Sequence, residues 1–177
     1  EMIEKFKTLF FVKSSLISLY LALTIPIPFI SIDKLKIISL IAFFIGLYLI
    51  INITSDYVET CENKISYKTS FISKIFWKKN WEISWKDIKL IKSLTTSQGS
   101  KVYYFNTHKD ENLLVPQRIE NFEEFLLIIS KKTGIDVANI SYISPLWTYK
   151  VLTILSSLMI IAEIYAFKYQ ILSMLNL

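Results

Sequence analysis

The chain contains long apolar runs and, between them, a stretch in which apolar and polar residues alternate. Residues 14–32 and 37–55 are two runs of 19 residues without a charged side chain. Each is close to the roughly 20 apolar residues that a membrane-spanning helix needs. Only residues 33–36 separate them, so a tight antiparallel helical hairpin is predicted. Pro26 and Pro28, near the end of the first run, are expected to end or bend its helix before the turn.

A third apolar run follows Lys150 and is interrupted by Glu163 and Lys168. One carboxylate within a span costs about 2–3 kcal/mol on insertion scales. The surrounding Leu, Ile, Val and Met residues offset that cost, so insertion is still predicted. In one interpretation Glu163 is a proton or ion site. In the second it faces the hairpin and is hydrogen-bonded to Ser, Thr or Tyr, or it lies near the interface. Because no second acidic residue lies within any of the three runs, the second interpretation is favoured.

Between the second and third runs the apolar positions recur with a period of two, which is typical of β-strands. Strands are predicted at 57–61, 64–68, 81–85, 88–94, 101–105 and 113–115. A helix should follow, because Asn121 and Glu124 form a capping-box pattern and Gly134 provides a stop. Its apolar stripe, which can cover a sheet, consists of Phe122, Phe125, Leu126 and Ile129.

The predicted fold class is therefore α+β, in three parts. Residues 1–55 form a transmembrane hairpin, residues 56–140 form an antiparallel β-domain closed by a C-terminal helix, and residues 141–177 form a third hydrophobic helix. Composition agrees, because 53% of the residues are apolar and the mean hydropathy is +0.42, above an ordinary soluble domain. Residues 54–146 hold 13 of the 20 basic and 11 of the 15 acidic residues, a net charge of +2.

The reactive side chains are too few for most catalytic or metal chemistry. The chain has one cysteine, Cys61, and one histidine, His108, so an ordinary four-ligand site of Cys and His cannot form. No nucleophile–base pair and no phosphate-binding glycine motif stands out. We predict no catalytic residues, no metal and no cofactor. Nucleic acid is not expected as a partner either, since Arg118 is the only arginine and arginine forks dominate specific base contacts.

Lysines near the apolar runs predict the orientation in the membrane. Lys5, Lys7 and Lys13 flank the first run, and Lys150 precedes the third. Two crossings return the chain to its starting side. Under the positive-inside rule, the protein is predicted to be an integral membrane protein with residues 54–146 in the cytoplasm.

The segment 71–80 is the most unusual stretch that is expected to face water, because lysines and aromatic residues alternate in it. In one interpretation its aromatic rings enter the membrane interface while the lysines meet anionic headgroups, each contributing about 1 kcal/mol. In the other interpretation the segment is a plain strand connection with Phe76 and Trp77 in the core. The candidate lipid or partner contacts are Lys74, Trp77, Lys78 and Lys79.

Two sequence segments carry a resemblance to a known family. Residues 81–88, Trp-Glu-Ile-Ser-Trp-Lys-Asp-Ile, and residues 119–125, Ile-Glu-Asn-Phe-Glu-Glu-Phe, resemble segments of bacterial pleckstrin-homology-like (PH-like) domains. Such domains often follow a two-helix membrane hairpin. The resemblance covers about residues 52–135. It implies an antiparallel β-barrel or bent sheet, with the second segment leading into a closing helix.

The hairpin and the small β-domain together predict a non-enzymatic integral membrane protein. Its expected partners are membrane lipids and another membrane protein or complex. The PH-like module would bind a protein partner or anionic lipid at the membrane surface, in the role of a scaffold or assembly factor. The alternative is a small structural subunit of a larger membrane complex, which Ser156, Ser157 and Glu163 in the third run would favour.

Overall fold

The chain folds into two compact units, each made of two separate stretches of sequence. The β unit contains the residues up to Leu9 together with Ser55–Pro145, and the helical unit contains Phe10–Thr54 and the residues from Leu146 onward. The helical hairpin is thus an insertion after the first few residues of the β unit. The structure, a computed structural model, describes residues 3–75, 79–97 and 99–175.

The first sheet of the β unit has four antiparallel strands. In sheet order they are β1 (Glu4–Lys7), β2 (Tyr57–Thr60), β3 (Lys64–Lys68) and β4 (Trp81–Ser84). The sequence analysis includes the residues of β1 in the hairpin part, and Phe6 is the only apolar side chain of the strand. The strand forms by pairing with β2 on the far side of the hairpin, where Phe6 faces Val58. Both side chains are buried.

The second sheet has three antiparallel strands, in the order β5 (Ile88–Thr95), β6 (Lys101–Thr107) and β7 (Asn112–Leu114). A single 3-10 turn, Trp85–Asp87, joins β4 to β5, so the strand predicted over 81–85 ends one residue early. The register of β5 against β6 shifts between Ile88 and Leu90. The unit therefore has two separate antiparallel sheets, and the closed-barrel form of the prediction is wrong.

A short helix and a longer one complete the β unit. The short helix, α4 (Phe71–Ile75), lies in the β3–β4 connection, where the sequence analysis predicted only a linker. The longer helix, α5 (Phe122–Thr133), ends at Gly134 as predicted. The capping box is not formed, because Asn121 has a left-handed backbone with φ of 51° and makes no side-chain capping hydrogen bond. The preceding residues fix this approach, since the Glu120 N–H donates to the Lys7 carbonyl at 2.9 Å.

The core of the β unit lies between the sheets and α5. Phe125 is fully buried and packs edge-on against Phe6, with ring centroids 5.4 Å apart. Trp81 is half-buried and meets Phe105 edge-on. The Trp85 indole N–H donates to the Cys61 carbonyl at 2.9 Å. Buried members of this core include Val58, Ile65, Ile83, Trp85, Ile88, Tyr103, Phe105, Val115, Ile119, Phe122, Leu126 and Ile129.

The helical unit contains the three apolar runs as helices. It consists of α1 (Phe10–Thr24), α2 (Pro26–Ile30), α3 (Asp33–Ile53) and α6 (Leu146–Leu175). Among the described residues, three helical segments are long and apolar enough to cross a membrane: Phe10–Ile30, Lys34–Ile53 and Leu146–Tyr169. Pro26 begins α2 after the one-residue break at Ile25, so the prolines interrupt the helix of the first apolar run as predicted.

Polar contacts join α1 to α6 and α1 to α3. The hydroxyl groups of Ser18 in α1 and Ser156 in α6 are 2.6 Å apart. The Tyr20 hydroxyl of α1 donates to the Phe43 carbonyl of α3 at 2.8 Å. Gly46 lies directly under the Tyr20 ring, where any added Cβ would clash with the phenol. Small and hydroxylated residues thus let the helices approach closely, as they do in membrane helix pairs.

A candidate membrane-contact site on α4

The position of α4 in the β unit is set by Asp56, a carboxylate that is only 4% exposed. Its Oδ1 accepts hydrogen bonds from the Ser70 backbone N–H at 3.1 Å and from the Ser73 hydroxyl at 3.0 Å. The Ser70 hydroxyl donates in turn to the Ser73 hydroxyl at 3.0 Å. Hydrogen bonds to an ionised acceptor are stronger than neutral ones, so Asp56 holds the first turn of α4 in place.

A third hydrogen bond to Asp56 comes from the strand next to it. The Tyr67 hydroxyl of β3 donates to Asp56 Oδ2 at 3.0 Å. Burial raises the pKa of the Tyr67 hydroxyl, and the nearby Asp56 charge and this hydrogen bond raise it further. All three effects disfavour a second negative charge beside Asp56. Tyr67 is therefore a neutral donor that keeps the carboxylate satisfied.

The outward surface of α4 is apolar and basic. Ile72 and Ser73 are buried, whereas Phe71 is 77% exposed and Ile75 is 63% exposed. Lys74 is exposed between them along the chain. A large aromatic and an aliphatic side chain on a short exposed helix are unfavourable in water. Together with a lysine they match the interfacial region of an anionic membrane.

The structure describes two of the four predicted contact residues. Lys74 lies on α4, and Lys79 is exposed shortly before β4. Trp77 and Lys78 lie outside the described residues, as does Phe76, so their placement stays a prediction. The ends of the segment are tied together by Asn80, whose Oδ1 accepts from the backbone N–H and the hydroxyl of Thr69 at 2.8 and 2.7 Å.

A second surface, which the sequence analysis did not identify, is the outer face of the three-stranded sheet. Leu94 of β5 pairs with Val102, and Tyr104 of β6 pairs with Leu114 of β7. Leu94 is 59% and Leu114 is 50% exposed. The outer face of a half-buried sheet is usually polar. Here, by contrast, these leucines form an apolar patch around Lys92. An alternating pattern alone could not show it, because both faces of β5 carry apolar residues.

The β unit also has a polar cleft of about 310 Å³ near the turns that follow β2 and β6. The charged groups that line it are Lys64, Glu82, Asp87, Lys109 and Glu111. Lys64 donates to Glu82 at 2.9 Å, and this hydrogen bond, followed by the lysine charge, lowers the pKa of Glu82. Throughout the described part of the chain, no group of three or more His, Cys, Asp or Glu side chains is placed to hold a metal ion.

These features define a class of protein, an α+β unit joined to three apolar helices of membrane-spanning length. The chain is 30% identical over 154 residues to the uncharacterized protein slr0269 of Synechocystis sp. (strain ATCC 27184 / PCC 6803 / Kazusa). The match covers 84% of this chain and 77% of that protein. The chain belongs to the same family as the Synechocystis protein. Neither a family model nor a solved structure matches it.

Proposed function

We propose that this chain is a non-enzymatic integral membrane protein whose PH-like module binds anionic lipid at the membrane surface. The single observation that carries the proposal is the surface of α4, where Phe71 and Ile75 are exposed beside Lys74. His108 lies exposed after β6, and Cys61 lies in the β2–β3 turn.

The PH-like assignment is supported by the order of elements in the β unit. A four-stranded and a three-stranded antiparallel sheet follow one another, and α5 then covers the core. This order is compatible with the bent sheet closed by a C-terminal helix that the resemblance implies. The two quoted segments, 81–88 and 119–125, supply β4 with its 3-10 turn and the start of α5.

The pairing of β1 with β2 supports the proposed topology. Lys7 pairs with Tyr57, so the residues before and after the hairpin belong to one folded unit and must share one side of the membrane. We place that side in the cytoplasm because of Lys5, Lys7, Lys13 and Lys150. A cysteine in place of exposed Gly99 should then stay unlabelled by an impermeant thiol reagent added outside intact cells. Labelling from outside would show that the proposed orientation is wrong.

Lipid contact is tested on the full chain in lipid nanodiscs. In a Cys61→Ser background, Phe71→Cys carries an environment-sensitive fluorophore. Its emission should shift to the blue when the nanodisc lipid changes from neutral to anionic. Changing Lys74 and Lys79 to Gln should weaken docking by about 2 kcal/mol, roughly 30-fold, and added salt should weaken it as well.

The matched control changes Lys131 and Lys132 of α5 to Gln, which removes the same charge elsewhere on the β unit. It should leave the fluorophore response unchanged. If the α4 and α5 variants respond equally, the attraction is a general effect of net charge and α4 is not the contact. If wild-type emission does not depend on the lipid, the proposed lipid binding is wrong.

A second candidate function is that of a scaffold or small structural subunit bound to another membrane protein. The apolar patch of Leu94 and Leu114 on the outer sheet face favours it, because exposed apolar patches often mark protein contacts. Native gels of protein extracted in mild detergent should then show a large assembly. Changing Leu94 to Glu should release the chain from it, whereas Leu127→Glu on α5 should not. If the wild-type protein and the Leu94→Glu variant both migrate as free chains, this candidate is contradicted.

A further inference from the structure

In the helical unit, α6 runs beside the first helical segment, which consists of α1 and its continuation α2. The two run in the same direction. Ser18 meets Ser156 through their hydroxyl groups at 2.6 Å, and the Phe29 ring stacks on Phe167 with centroids 5.0 Å apart. Both contacts join residues 138 positions apart along the chain. Because the offset is constant across the interface, Glu163 lies level with Ile25.

Ile25 is the single residue between the end of α1 and the start of α2. Pro26 and Pro28 follow it and have no backbone N–H, so the carbonyl oxygens of Ala22 and Thr24 lose their usual helical donors. Within a membrane such carbonyls need another partner. The break in the first span therefore presents carbonyl oxygens at the same level as the only carboxylate of α6.

Glu163 has no partner of its own among the described residues. Its Oε2 atom is buried and accepts no hydrogen bond there. The nearest cation along α6, Lys168, lies over the exposed rings of Tyr165 and Tyr169, at 4.6 and 4.8 Å from their centroids. The positive charge of Lys168 is thus held on the exposed side of α6, where these two tyrosines lie. A carboxylate within a span requires a positive charge or a proton beside it.

We propose that Glu163 and the carbonyl oxygens at the α1–α2 break form an intramembrane site for an alkali-metal cation, Na⁺ or K⁺. One carboxylate and neutral carbonyl oxygens balance a single positive charge. Ca²⁺ sites, by comparison, use six to eight oxygen ligands, typically with several carboxylates. Carbonyls of an interrupted membrane helix are suitable ligands for such a cation. The site is independent of the lipid contact proposed for α4.

The test uses the full chain in nanodiscs of neutral lipid and infrared difference spectra recorded while the salt is exchanged. Choline chloride is replaced by NaCl or KCl at constant pH and ionic strength. The carboxyl and carboxylate stretching bands of one acidic residue should change. Glu163→Gln should abolish the change, whereas Glu124→Gln, on the exposed side of α5, should leave it intact. The salt that acts at the lower concentration identifies the preferred ion.

Pro28→Ala keeps Glu163 and restores a backbone donor to the Thr24 carbonyl, so it tests the site if Glu163→Gln does not fold. It should raise the salt concentration needed for the band change several-fold. Unchanged affinity in Pro28→Ala would overturn the assignment of the carbonyl ligands. Identical difference spectra for wild type and Glu163→Gln would overturn the site. A Glu163 band that responds to pH but to neither salt would also overturn it, because the carboxyl would then hold only a proton.

Discussion

Replacing Asp56 with Ala should destabilise the β unit and release α4. The change removes the acceptor of three hydrogen bonds, from the Ser70 N–H, the Ser73 hydroxyl and the Tyr67 hydroxyl. Hydrogen bonds to a charged group contribute about 1.5–3 kcal/mol each, and a buried donor left without an acceptor costs about 1–3 kcal/mol. These effects overlap, so we expect a loss of about 4 kcal/mol in the free energy of unfolding, a large part of a small domain's stability.

Asp56→Asn separates the charge of this carboxylate from its shape. The amide oxygen can still accept from Ser70 and Ser73, and its NH₂ group can donate to the Tyr67 hydroxyl. The strengthening of these three hydrogen bonds by charge is lost, so we expect a cost of about 1–2 kcal/mol. Glu62→Ala is the surface control, because Glu62 is exposed in the β2–β3 turn, and should cost less than about 0.5 kcal/mol.

Urea unfolding of the full chain in mild detergent, followed by near-ultraviolet circular dichroism, measures these differences. Hydrogen exchange of the peptide covering residues 70–75 reports on α4 directly. Because the Ser70 amide donates to Asp56, its exchange in Asp56→Ala should accelerate at least tenfold relative to wild type, which corresponds to about 1.4 kcal/mol of local stability. A cost below about 1 kcal/mol with unchanged exchange would refute the role given to Asp56.

Phe125→Ala should cost about 3–5 kcal/mol in the same urea assay, since it empties a fully buried site between the sheets and α5; a cost below about 1 kcal/mol would mean that α5 does not cover the core. Because the folded state raises the pKa of Tyr67, the contribution of Tyr67 to the stability of the β unit should be constant below the ordinary tyrosine value of about 10 and fall as pH rises above it. Tyr67→Phe should abolish this fall, and an unchanged pH profile would contradict the assignment. Gly46→Leu should separate α3 from α1 by displacing the Tyr20 ring, measured as loss of a disulfide between engineered cysteines on the two helices, whereas Gly99→Ala should not.

Much of the fold follows from local patterns in the sequence. Length and hydropathy suffice to identify the three apolar helices, because insertion depends mainly on the summed transfer free energy of one segment. The strands over 57–60, 64–68 and 101–107 and the helix α5 follow from periods of two and of 3.6 residues. The stop at Gly134 follows as well, since glycine adopts a positive φ, here 72°, without steric cost.

Other features depend on residues that are distant in the sequence. β1 has a single apolar side chain, and it is a strand because β2 supplies hydrogen bonds and a partner for Phe6. α4 is a helix because Asp56 binds its first turn, and the outward position of Phe71 and Ile75 follows from that anchor. The capping box at Asn121 fails for the same kind of reason, because contacts between Lys7 and Glu120 set the chain direction before α5.

The sequence by itself determined which segments are apolar enough for a membrane, which segments alternate as strands, and which charges a lipid surface could meet. Only the tertiary structure decided that the hairpin interrupts a sheet between β1 and β2. It likewise decided that Ser156 and Phe167 of α6 lie against Ser18 and Phe29. The physical reason is that hydropathy and periodicity are sums over neighbouring residues, whereas strand pairing and helix register depend on contacts between segments far apart in the chain.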